Sequence, residues 1–317
     1  MIPVLFAAAA VLALGGAPAP AAQVSYYDVT RGAHPHDVAP APDGIVWYTA
    51  QRQGAIGILD PKTRKVTQIA LGPDSAPHGV IIGPDLAAWV TDSGQNAVVR
   101  VDPATKAITR YPLPAQFPDA NLNTATFDRK GVLWFTGQNG VYGRVDPATA
   151  KVEAWKAPRG VGPYGITTTP NGDVWYASLA GDHIAKIDTV SGDALLVPPP
   201  KPGVGPRRIW SDSRGLLWVS FWTSGEVARF DPGSKVWKVW SLPAGKEGCY
   251  AVYVDDKDRV WLTDFSQNAI LRFDPVTEKF ESFVSNRRNA AVRQILGRPG
   301  ELWGAESGTD RLVVVRE

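Results

Sequence analysis

Apolar and polar positions along the chain follow one pattern that returns seven times. A polar residue precedes a short apolar run, a Pro/Asp/Asn/Gly turn follows, and a tryptophan stands eleven positions after the polar residue, as from His78 to Trp89. The intervals His36 to Trp47, Tyr164 to Trp175 and Tyr250 to Trp261 are the same. The seven tryptophans, Trp47, Trp89, Trp134, Trp175, Trp218, Trp261 and Trp303, are separated by 42, 45, 41, 43, 43 and 42 residues. Repeats of about 40–45 residues that hold several short strands are the sequence mark of propeller blades. The pattern therefore predicts an all-β fold, a seven-bladed β-propeller.

Each unit reads as four strands. The first is short and apolar, as in Val80-Ile81-Ile82, and it ends in a hairpin turn such as Pro42-Asp43-Gly44 or Pro170-Asn171-Gly172. The second carries the tryptophan. The third runs into Asp-Pro, as at Asp60-Pro61 and Asp274-Pro275, where proline stops the ladder. The fourth alternates with period two, as in Lys235-Val236-Trp237-Lys238-Val239-Trp240, which suits an outer edge with one wet face. The last repeat stops after its third strand, whereas Val24-Ser25-Tyr26-Tyr27-Asp28-Val29 stands unassigned before the first. Pairing of that segment with the last repeat would close the ring and tie down both ends. One large ring per repeat at a fixed register is what packing of sheet on sheet requires, so the tryptophans are read as scaffold.

Composition changes this picture little. The chain has 317 residues, 44% of them apolar, and a net charge of +2 from 33 basic and 31 acidic residues, with no basic run. A nucleic-acid partner is not expected, nor is a membrane span after residue 15. Residues 1–22 differ: Ile2 to Leu14 has the length of a secretory apolar region, and Ala17-Pro18-Ala19-Pro20-Ala21-Ala22 offers small residues for cleavage. The expected organisation is a leader over 1–22 and a single propeller domain over 23–317, periplasmic or extracellular and monomeric. Cys249 is the only cysteine, so no internal disulfide can form.

Innermost strands line the axis of a propeller. The polar residue that opens each unit therefore contributes to a ring at one mouth: His36, His78, Asn123, Tyr164, Arg207, Tyr250 and, with one deletion in the last hairpin, Arg293. Counting out from each turn sets His36 opposite Ala50 and His78 opposite Asp92. The opposing positions include three carboxylates, Asp92, Asp264 and Glu306, and the aromatic residues Trp222 and Phe265, with Trp210, offer an apolar wall. Converging polar groups at the mouth of such a ring are a candidate site for a small molecule. The other reading is a solvated rim in which Arg207 or Arg293 pairs with Asp264 or Glu306. His36 and His78, at one height on neighbouring blades with Asp92 beside them, could abstract a proton, and the carboxylate could orient them or hold a metal. Loop histidines satisfied by backbone carbonyls are the alternative. His183 opens a third strand away from the axis and is expected on the surface.

Repeats such as Pro163-Tyr164-Gly165-Ile166-Thr167 through Val174-Trp175-Tyr176, and Gly131-Val132-Leu133-Trp134-Phe135-Thr136, resemble those of the streptogramin B lyase (virginiamycin B lyase) family over about residues 24–317. The resemblance implies a seven-bladed propeller that opens a cyclic depsipeptide by elimination across an ester, with a divalent metal, magnesium, near the channel mouth. It implies His36 and His78 as the proton-abstracting pair and Asp92, Asp264 and Glu306 as metal ligands. Asn123, Tyr164, Arg207, Trp222, Tyr250, Phe265 and Arg293 would contact a small-molecule or cyclic peptide ligand. The family's own histidines belong to later blades, where the ring here holds Arg207, Tyr250 and Arg293. A lactonase- or gluconolactonase-like metal-dependent hydrolase and a non-catalytic periplasmic binding propeller are the competing expectations.

Overall fold

A computed structural model describes residues 22–317; the leader expected over 1–22 lies, but for Ala22, outside the described residues. Seven separate four-stranded antiparallel sheets carry the whole fold. Six are built from consecutive strands. The seventh takes its outermost strand from the start of the chain, Gln23–Asp28, which pairs antiparallel with Arg311–Arg316. The ring is thus closed by an end-to-end pairing, and the segment left over in the sequence finds the place its pattern called for. Among the described residues no helix is long and apolar enough to cross a membrane.

The repeated tryptophans are core. Each is no more than 3% exposed. Five of them also brace the first hairpin of their own blade. The indole N–H of Trp89, Trp134, Trp218, Trp261 and Trp303 donates to a carboxylate of that turn, Asp85, Asp128, Asp212, Asp255 and Glu301 respectively. A buried indole needs such a partner, and here it also fixes the turn that sets strand register.

Two positions beyond the tryptophan, a hydroxyl fastens blade to blade. The Thr49 hydroxyl accepts from the Asp37 amide within its own blade, 3.0 Å, and donates to the His78 carbonyl of the next, 2.9 Å. Thr91 repeats this between Gly79 and Asn123, and Ser220 between Arg208 and Tyr250. Each hydroxyl satisfies two buried backbone groups that belong to neighbouring sheets. These fasteners hold the opening residues of the inner strands at fixed separations around the axis.

The register differs by one from the expected pairing. Pro35, not His36, faces Ala50, and Pro77, not His78, faces Asp92. A bulge follows in every first hairpin, between Pro35 and Val38 and between Pro77 and Gly79 for example. The extra residue breaks the strict alternation, so two successive side chains, such as His36 and Asp37, serve the axis together.

Candidate functional site

The seven ring residues do converge, but they close the mouth rather than line an open funnel. His36 is 2% exposed, His78 6%, Asn123 0%, Tyr164 3% and Tyr250 1%. The rings of His36 and His78 lie with centroids 3.8 Å apart. The bulge brings in a residue that the alternating pattern did not single out: Asp37, whose Oδ1 accepts from His36 Nδ1 at 2.7 Å. With Nδ1 donating, His36 Nε2 is left as an acceptor, and the Tyr250 hydroxyl stands 3.3 Å from it. Tyr250 in turn accepts from the Tyr164 hydroxyl at 2.8 Å, and Tyr164 accepts from Arg207 at 2.7 Å. One directed chain of donors therefore runs from Arg207 through Tyr164, Tyr250 and His36 to Asp37.

Arg208, the residue after the ring position in blade 5, crosses the axis. Its guanidinium donates to the Thr124 hydroxyl of blade 3 at 2.5 Å and to Asp37 of blade 1 at 3.4 Å. Thr124 passes the contact to Asn123, whose amide donates to His78 Nε2 at 3.4 Å. Space for this crossing comes from small residues at the equivalent positions of other blades. A Cβ on Gly165 would stand 2.7 Å from the Arg208 Cα, and one on Gly79 2.5 Å from the Asn123 carbonyl oxygen. Glycine is required at both by close approach of backbone. Asp37, Thr124 and Arg208 were legible only by reading the position after each ring residue, and Thr49, Thr91 and Ser220 only by reading the position two after each tryptophan.

Charge around the site is mainly positive. Burial, and then Arg293, Arg208 and Arg207, hold His36 well below the usual imidazole range despite the Asp37 contact. Burial and the neighbouring His36 do the same for His78. Both imidazoles are neutral at neutral pH. Burial pushes the Asp37 carboxyl up, with Arg208 opposing. Burial also pushes the Tyr250 phenol up, but Arg207, Arg208 and Arg293 together outweigh it and bring Tyr250 down to about 8. The Arg207 guanidinium lies over the Tyr250 ring at 3.8 Å, and Phe265 stacks on Tyr250 at 4.9 Å with 9° between planes. Trp222 meets Tyr250 edge to face at 5.9 Å, while Arg293 is anchored by Ser307. The aromatic wall expected beside the ring is therefore present in Trp222 and Phe265. Trp210 is not part of it: it sits at the other end of the axis, against Tyr253.

The three carboxylates expected as metal ligands do not join the histidines. Asp92 accepts from Ser75, Ala76, Gly94 and Gln95, which fastens its own turn and the preceding loop. Asp264 accepts from Ser266 and Gln267 through Oδ1, with Oδ2 buried and unpartnered. Glu306 is held by Ser285, Thr309 and Arg311. Each caps the turn after its own strand, the ordinary use of an acceptor that can fold back on its backbone. Among the described residues the one group whose ligand atoms could share an ion is His36, Asp37 and His78, within 4.8 Å of one another. That donor set does not fit magnesium, which demands oxygen ligands in an octahedron. Two of its three donors are nitrogens, and the Asp37 oxygen that faces them already accepts from His36 and Arg208. His183 does open a third strand, yet it is 1% exposed, bonded to the Gly181 carbonyl at 2.9 Å and packed edge to face on Tyr176; the aromatic neighbour draws it inward.

Fold and site together define a closed-ring propeller whose axis carries a buried His–Asp–Tyr chain beneath arginine and aromatic side chains. The virginiamycin B lyase family model matches residues 16–243 and 65–317, and the chain belongs to that family. The virginiamycin B lyase of Staphylococcus aureus has a similar structure, with a TM-score of 0.86 and 22% identity over 94% of this chain and 100% of that one. A catalytically inactive variant of the same lyase, crystallised with quinupristin, matches with the same figures. YCF48 bound to D1 peptide aligns with a TM-score of 0.74 and 14% identity, over 93% of this chain and 97% of that one. No curated protein matches the sequence.

Proposed function

We propose that the chain is an exported carbon–oxygen lyase that opens an ester-containing cyclic substrate by α-proton abstraction, with Tyr250 as the base and no metal in the step. The single observation that supports this most is the Asp37–His36–Tyr250 chain under Arg207. A phenol brought down to about 8 is partly ionised near neutral pH and well matched to general-base work. Tyr164 donates to the Tyr250 oxygen, a bond that the phenolate keeps, whereas His36 accepts only from the protonated phenol.

The electrons balance within this chain's own groups. The substrate's α-proton passes to the Tyr250 oxygen, the Cα–H pair becomes the new Cα=Cβ bond, and the Cβ–O bond breaks to release a carboxylate. Negative charge builds first on the carbonyl oxygen and then on the leaving group. Arg207 and Arg293, the cations at the mouth, are placed to stabilise it, a task suited to guanidinium groups in a water-poor site. Arg207 has to swing off the Tyr250 ring for the substrate to reach the phenol. Trp222 and Phe265 then offer an apolar face to the substrate's side chains.

Quinupristin, the ligand of the related S. aureus lyase, is the substrate to try first. Elimination yields a linear product of unchanged mass, whereas hydrolysis adds a water, so mass spectrometry separates the lyase from the hydrolase. Tyr250→Phe is expected to lower turnover by about 10²- to 10⁴-fold, the usual worth of a general base. A water-added product, or full activity in Tyr250→Phe, would sink the proposal. The burial of all five central ring residues favours a second reading, a binding propeller whose ring is only a plug. Saturable binding of quinupristin without any product would decide for it.

A further inference from the structure

On the side where the first hairpins turn, away from the histidines, the axis opens into a cavity of about 430 Å³. Ile81, Phe127, Trp210, Tyr253 and Leu296 wall it, and Trp210 meets Tyr253 edge to face at 4.9 Å. Asp37, Thr124 and Gln294 form its polar floor. Gln294 is 4% exposed, and its Oε1 has no hydrogen-bond partner. Asp37 uses Oδ1 for both His36 and Arg208, while Oδ2 takes part in neither bond. One buried acceptor without a donor, Gln294 Oε1, and the Asp37 oxygen that neither His36 nor Arg208 engages thus lie at the foot of an apolar shaft, and a buried acceptor left alone is costly.

The entrance adds a charge preference. A wider hollow of about 730 Å³ shares Phe127, Trp210 and Tyr253 with the shaft. Its lining includes Asp128, Asp256 and Asp258, none of which forms an ion pair among the described residues, against a single arginine, Arg129. Anions are repelled by such a rim and cations drawn in. Aromatic walls suit a cation as well as an apolar body.

We infer that this cavity is a second binding site, for a small apolar amine whose ammonium group donates to Asp37 Oδ2 and Gln294 Oε1 while its body packs on Trp210 and Tyr253. A cavity of this size encloses a ligand of roughly the bulk of an arylalkylamine. The site shares Asp37 with the Tyr250 chain, but it opens at the opposite end of the inner strands and is read by binding alone, so its failure and that of the lyase reading are distinguishable.

Isothermal titration calorimetry of the full chain with phenethylamine, 2-phenylethanol and phenylacetate tests it. The amine is expected to bind saturably at one site, about ten-fold or more tighter than the alcohol, the worth of one charge-assisted hydrogen bond, and phenylacetate not at all. Gln294→Leu removes one acceptor and should narrow that preference. Leu296→Trp fills the shaft and should abolish binding of both ligands. Circular dichroism and thermal melting establish that each variant is folded; if Leu296→Trp is not, Gln294→Leu decides. No saturable binding of the amine, a preference for the alcohol or the acid, or an unchanged amine affinity in the folded variants would overturn the inference.

Discussion

The two ends of the propeller axis are built from the same seven inner strands, yet one is filled and the other hollow. At the strand starts, His36, His78, Tyr164, Tyr250 and Arg208 interlock across the axis, each almost wholly buried. Three or four residues past the ring positions, the inner strands present Ile81, Phe127, Trp210, Tyr253 and Leu296 to a cavity. The difference lies in side-chain chemistry and not in backbone, because the hydroxyl fasteners keep the blades evenly spaced at the filled end. Long polar side chains can reach partners on distant blades, whereas apolar ones can only touch their neighbours and leave the middle empty. The filled end is therefore a network in which each member depends on several others.

Arg208 gives the strongest test of that dependence. Replacing it with methionine keeps most of the volume but leaves the Asp37 carboxylate buried with only a neutral imidazole beside it. Removing one partner of a buried pair costs about 3–5 kcal/mol, and a loss of that size is expected in urea unfolding of Arg208→Met. Adding Asp37→Asn should recover part of it, because the uncompensated charge is then gone. A single variant within about 1 kcal/mol of wild type, the range of exposed pairs, would mean that the filled end is not held by this crossing.

The sequence makes the fold readable for the same reason that it hides the network. Blade number, the tryptophan belt, the Asp-Pro turns and the closing strand all follow from what repeats, and each has the place its pattern required. The ring positions follow too, because they stand at a fixed distance from each tryptophan. The partners do not. Asp37 and Arg208 come to the axis through bulges that shift register by one, and a two-residue period cannot register an inserted residue. Asp92, Asp264 and Glu306 look like ligands in a linear count, but each folds back on its own turn, a local hydrogen-bond preference that a cross-strand count ignores. Arg208 reaches a blade 171 residues away, and no local pattern carries that information.

Acidification should distinguish the two ends next. Both buried histidines titrate below their ordinary value, so the unfolded chain binds their protons first as pH falls. Stability from this source is complete above about 6.5 and is lost as pH drops below it toward the folded-state values. The groups that face the pair are Arg207, Arg208, Arg293 and His34, which strengthen the effect, and Asp37, which opposes it because its own carboxyl is raised. His78→Gln removes one of the two titrations, so its melting temperature should fall less between pH 7 and pH 5 than that of wild type. Parallel curves would place the acid sensitivity outside the ring. Among the described residues no histidine lines the hairpin-end cavity, whose titrating floor residue, Asp37, works in the opposite sense.

Magnesium is expected to have the smallest effect of all. Binding of an ion to the folded chain alone would raise stability with concentration, by about 2.7 kcal/mol at one hundred times its Kd. Such a rise needs a set of free oxygen ligands, and the filled end does not offer one. Among the described residues its one carboxylate is Asp37, bonded to His36 and Arg208 through one oxygen and lining the hairpin-side cavity, while the other carboxylates of the neighbourhood cap turns. Three guanidinium groups surround the remaining space and add repulsion of their own. Melting curves with chelator and with millimolar magnesium should therefore superimpose, and so should quinupristin turnover in the two conditions. A chelator-sensitive melt that magnesium restores would show that the ring end opens to admit an ion, and with it that the filled end is less fixed than its hydrogen bonds imply.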